Sequence, residues 1–226
     1  MTNHGAPKAR KDGRHWLPAQ GVDPAPLAEL NAECLGLLAA RAAQGVGRLA
    51  PPLLLDLHSE WADLPNQAVR RLAAAPFSLF DIGFARAPRW LETRARGVSD
   101  RSQRSENLFF EPHAARSVTR RMLVYAWHLA RSRPRAACLV FGTSIPAVEA
   151  LAACSLSALE AAAEGNAEAL KPRWSHQVPF WRELLSAASA GADVRLRELL
   201  LGGIQRLAAE TLAAHLPDTA RPDSHG

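Results

Sequence analysis

Residues 113–165 read HAARSVTRRMLVYAWHLARS (113–132), RPRAACLVFG (133–142), TSIPAVEALAAC (143–154) and SLSALEAAAEG (155–165). The first block repeats apolar residues at helical spacing and predicts one long helix. Pro134 opens a second, shorter one, since proline is tolerated in a first helical turn. Gly142 then marks a sharp turn, and Ser144 is placed to cap a third helix that carries Pro146 in its first turn. A fourth helix starts after Ser155. With Pro134 as position one, a small residue, Cys138, falls at position five and glycine at position nine. Phe141, Val148 and Leu151 are spaced to clamp the two short helices together. This is the pattern of a helix-turn-helix.

The rest of the chain agrees with an all-α class. Apolar residues make up 48% and aromatic residues only 6%, and Ala and Leu dominate, which favours helices. Alternation of period two is nearly absent. The expected architecture is a multi-helix orthogonal bundle with the helix-turn-helix-like unit at its centre. Residues 1–22 are polar and basic and read as a flexible tail. Residues 23–91 form an N-terminal helical region. It opens at Asp23-Pro24 on a helix with an apolar stripe of Leu27, Leu30, Cys34, Leu37 and Leu38. Pro51-Pro52 and Pro65 start further helices. Phe77, Leu79, Phe80 and Phe84, in an irregular segment, are expected to fill the seam with the centre. Residues 92–111 are charged and predict a linker, and 112–216 a second helical domain. Residues 217–226 read as a disordered tail. In the last helix, Leu196, Leu199, Leu200, Ile204, Leu207 and Leu212 give a wide apolar face. Gly202-Gly203 weakens that helix by about 2 kcal/mol, which predicts a close backbone approach, within the chain or to a second one.

Charge is distributed unevenly. The net charge is +5, yet residues 86–135 alone carry twelve Arg against four acids, a net of +8. On the long central helix, Val118, Met122, Tyr125, Ala126 and Leu129 share an arc of roughly 100°. Arg116, Arg120, Arg121, His128, Arg131 and Arg135 share roughly 140° of the opposite side, if the helix extends that far. Trp127 and Val124 lie among them, and a tryptophan there wants cover. This face suits a nucleic-acid backbone or an acidic partner protein. It also suits a solvated helix surface, and because only three of the 27 basic residues are Lys, an Arg-favouring coding bias accounts for part of the cluster.

Other chemistry finds no support in the residue pattern. Cys34, Cys138 and Cys154 are odd in number and far apart, which predicts no disulfide framework and a reducing, cytoplasmic setting. No export signal or membrane span is read from the sequence. The eight histidines form no HxH or HxxxH pair, so no metal site is expected. Neither a P-loop, nor GxSxG, nor GxGxxG occurs. No catalytic residue, cofactor or small-molecule substrate is expected, and the protein is not expected to be an enzyme.

The segment YAWHLARSRPRAACLVFGTSIPAVEALAACSLSALEAAAE, together with LRELLLGGIQRLAA near the C-terminus, resembles the FlhD family of flagellar transcriptional regulator subunits. The resemblance covers residues 110–212. It implies a helical protein that dimerises or joins a hetero-oligomer and acts on promoter DNA with a second subunit. The family's intersubunit cysteine has no counterpart, because Lys171 or a neighbour stands near its place. The candidate recognition helix, IPAVEALAAC, holds no Arg, Lys, Asn or Gln, so it lacks the side chains that make bidentate base contacts. DNA engagement is therefore expected through the Arg face, directly or with a partner subunit. The rival reading is a helical adaptor of a secretion or flagellar apparatus that docks an acidic partner.

Overall fold

The structure, a computed structural model, describes residues 23–45, 47, 49–84 and 108–213. The expected basic tail, most of the expected linker and the C-terminal tail lie outside these residues, as do six of the twelve arginines of the basic block. The fold is all-α, as expected. Four helices come first, α1 (Ala25–Ala43), α2 (Pro52–Leu55), α3 (His58–Ala62) and α4 (Asn66–Ala73). The centre comprises α5 (Pro112–Ser132), α6 (Pro134–Phe141), α7 (Ile145–Ala152) and α8 (Leu156–Asn166). Last come α9 (Val178–Ala190) and α10 (Asp193–Ala213). Prolines start α1, α2, α5, α6, α7 and α9, which explains why so Ala-rich a chain breaks into short helices.

One continuous buried cluster joins the N-terminal helices to the rest. It runs from Leu27, Cys34, Leu35 and Leu38 on α1 through Val118, Met122 and Leu129 on α5 to Trp181 and Leu184 on α9. The seam is aromatic. Phe77, Leu79, Phe80 and Phe84 are all buried, as the sequence predicts. Trp61 and Trp181 are fully enclosed with ring centroids 5.5 Å apart, and Phe80 lies 6.4 Å from Trp181. Such tilted pairs add to what burial of their large surfaces contributes.

The seam segment forms a strap, 77–84, and its backbone needs partners because it is buried without being helical. Asn31 of α1, itself buried, supplies two and also reaches the end of α4. Its Nδ2 donates to Phe77 O (3.1 Å) and, at 3.4 Å, to Ala73 O, and its Oδ1 accepts from Leu79 N at 2.9 Å. A two-residue antiparallel ladder supplies more, pairing β1 (Phe80–Asp81) with β2 (Lys171–Pro172) in the register Phe80↔Pro172 and Asp81↔Lys171. Arg173 N extends it by donating to Leu79 O at 2.8 Å.

The paired glycines of α10 divide in role. A Cβ on Gly203 would lie 2.6 Å from the Phe77 ring, so the helix packs on the strap through bare backbone. A Cβ on Gly202 would meet nothing within 4 Å. Gly202→Ala is therefore expected to stabilise the fold by about 0.5–1 kcal/mol through helix propensity. Gly203→Ala is expected to destabilise it by about 1–3 kcal/mol through overpacking against the buried Phe77 ring. Urea melts of both variants check this, and equal effects would remove the close-approach account. Leu212, placed by the sequence in the apolar face, is instead 67% exposed.

Candidate functional site

The corner between α6 and α7 has the expected geometry. The two helices meet at 115° across a three-residue turn. Gly142 ends α6 in the left-handed conformation (φ 57°), where a side chain would be strained and where Leu207 of α10 occupies the space of a Cβ. Ser144 caps α7, its hydroxyl accepting from Ala147 N at 3.3 Å. Phe141, Val148 and Leu151 are buried, as expected. Leu151→Ala is expected to cost about 2–5 kcal/mol, and an unchanged melting curve would remove the clamp.

The last carbonyls of a helix lack partners within it, and at this corner the strap and a buried arginine provide them. Val140 O accepts from Ser78 N at 2.9 Å. Phe141 O accepts from Arg173 Nη2 at 2.5 Å, while Arg173 Nε donates to Ser78 O at 2.7 Å. Thr143 Oγ1 donates to Phe84 O at 2.9 Å. Asp81, 3.6 Å from Arg173 Nη2, is the counter-ion. Burial lowers the Arg173 pKa from the usual arginine value, while the negative charges of Asp81 and Glu210 oppose that shift. The next residue, Trp174, takes a positive φ of 51°, rare for a bulky side chain. Its indole N–H donates to Glu210 at 2.6 Å, and its ring stands edge-on to Phe180. Sequence reading missed Arg173 and Asn31, because neither belongs to a local pattern.

The cationic face is formed by the exposed side of α5 and is bounded by two helices. α1 runs antiparallel along one flank, with Arg41 ion-paired to Glu111 and Glu33 to Arg121. α8 runs along the other, with Glu160 ion-paired to Arg120. Arg116, Arg120, Arg121, His128 and Arg131 are all exposed on this ridge. Arg135 does not share the helix. Arg133, at φ −149°, ψ 71°, ends α5, and Pro134 restarts the chain, so Arg135 is exposed on α6 instead.

Trp127 also departs from expectation. The sequence places it on the arginine face in need of outside cover, but the chain covers part of it. Its Nε1 donates to Cys154 O in the α7–α8 turn at 3.0 Å, and the Arg131 guanidinium lies 4.8 Å from its ring centroid. The ring is half-buried and packed against the core. Trp127 therefore joins the cationic ridge to the end of α7, and Arg131 is partly engaged by a cation–π contact.

Burial raises the thiol pKa of Cys34, Cys138 and Cys154, the reverse of what a nucleophilic cysteine needs. Among the described residues no group of three His, Cys, Asp or Glu is placed to hold a metal ion. A depression of about 70 Å³ lies beside Leu37, Ala40, Arg41, Phe110 and Glu111, well below the size of a small-molecule site. No described single helix is long and apolar enough to cross a membrane. No family model matches the chain, and no curated protein or solved structure matches it significantly.

Proposed function

We propose that this chain is a regulator or co-regulator subunit that holds a nucleic-acid backbone against the exposed ridge of α5 and acts with a partner subunit, in keeping with its resemblance to FlhD. The observation that carries the reading is the row Arg116, Arg120, Arg121, His128 and Arg131 on that ridge, joined through Trp127 to the end of a 115° helix corner. Cations along one helix can track phosphates without reading bases. The outward residues of α7 are Ile145, Pro146 and Glu149. They offer no donor for a base edge, so sequence choice is assigned to the partner. Such a role places the protein in the cytoplasm and needs no cofactor. The deciding experiment is a salt-dependent DNA titration, alone and with any co-purifying subunit.

A specific observation favours the second reading, a helical adaptor. Leu139, Ile145 and Leu156, on α6, α7 and α8, are 46%, 43% and 59% exposed. An apolar corner of this kind suits a protein partner. Absence of DNA binding together with stoichiometric capture of a protein that is lost in Ile145→Glu would select it.

A further inference from the structure

Two of the arginines on the α5 ridge already hold carboxylates. Arg120 pairs with Glu160 of α8 and Arg121 with Glu33 of α1, one on each flank. The arginines are 61% and 54% exposed, so both guanidiniums remain open to solvent and to a ligand. Glu33 is held more firmly, with its side chain 28% exposed in the α1–α5 groove. Any phosphate that takes these two arginines competes for their N–H donors with a carboxylate of the same charge, which stays beside the anion. Exposed ion pairs are weak enough for that exchange to occur and strong enough to count.

We infer that Glu33 and Glu160 are built-in competitors for the phosphate ligand, an autoinhibitory contact that weakens binding on the α5 ridge. The inference rests on the nucleic-acid reading and concerns how that site is regulated. A partner subunit that draws Glu33 or Glu160 to its own cations would free the arginines and tighten DNA binding with no change of fold. Glu29 on α1 and Glu164 on α8 supply controls. Each is exposed, lies about one turn from its counterpart, and pairs with neither arginine.

The test is fluorescence anisotropy of a labelled DNA duplex of arbitrary sequence at low salt with the full chain. E33Q and E160Q are each expected to tighten binding by about two- to fivefold, the range an exposed ion pair supports, and the double variant roughly tenfold. E29Q and E164Q are expected to do clearly less, because they remove only general repulsion. In an Arg120→Ala, Arg121→Ala background the gain from E33Q and E160Q is expected to fall to that of the controls. If wild type binds and E33Q and E160Q gain no more than E29Q and E164Q, the inference is overturned and the nucleic-acid reading stands. If wild type fails to bind and E33Q/E160Q binds, the inference is supported in its strongest form. If neither binds, both readings fall together.

Discussion

Arg173→Met is expected to lower the free energy of unfolding by about 3–5 kcal/mol, the usual result of removing one member of a buried charged network. The guanidinium, just after β2, ties the strap to the end of α6. It donates to Ser78 O in the strap, to Phe141 O at the end of α6, and faces Asp81. Methionine fills a similar volume but leaves two buried carbonyls unpartnered and Asp81 without its counter-ion. Each unpartnered buried group costs about 1–3 kcal/mol. Lysine is expected to recover little, because one ammonium cannot reproduce the planar fork that spans both carbonyls. Asp81→Asn is expected to cost less than either, since its separation is 3.6 Å and its side chain is 21% exposed. Urea unfolding with an unchanged slope measures all three. A loss for Arg173→Met below about 1 kcal/mol would mean that the strap and corner are held by apolar packing alone.

That network marks the limit of what the sequence makes legible. The helix corner can be read because each of its parts is a local signal. Pro134 can only start a helix, Gly142 tolerates the left-handed turn, and Ser144 caps the next helix. The burial of Phe77, Leu79, Phe80 and Phe84 can be read from their apolar character. The partners of the strap cannot, since Asn31 and Arg173 lie 48 and 95 residues from Leu79 and Ser78, the residues they bind. The arginine face shows the same division. Periodicity places Arg116, Arg120 and Arg121 on one side of α5. Glu33 is 88 residues from Arg121 and Glu160 is 40 from Arg120, so the carboxylates that occupy them carry no local mark. Trp127 is misread for the same reason, because the carbonyl that satisfies its indole belongs to a turn 27 residues on. Gly202-Gly203 can be read as a close approach, yet only the fold shows that Gly203 makes it and Gly202 does not.

The salt dependence of DNA binding is the second large effect, and it bears on function directly. Each cation that meets a phosphate releases condensed counterions, so log affinity should fall against log salt with a slope of about −0.9 per contact. If Arg116, Arg120, Arg121, Arg131 and Arg135 all engage, the slope is about −4.5, and a fourfold rise in salt weakens binding by several hundredfold. Arg120→Ala with Arg121→Ala should flatten the slope by about two, and should weaken every duplex alike because phosphate contacts carry no sequence information. Arg116→Ala should flatten it by about one. Arg135→Ala is the geometric control: Arg135 stands on α6 beyond the break at Arg133, so with a ligand lying along α5 alone both wild type and Arg135→Ala should show a slope of about −3.6. Trp127→Ala should act mainly on stability, because the ring packs within the chain and meets Cys154 O. A slope near zero for the wild type, or no binding at low salt with or without a co-purifying subunit, would leave α5 as a solvated ridge between two acidic flanks. The exposed residues Leu139, Ile145 and Leu156 would then be the surface through which the protein acts.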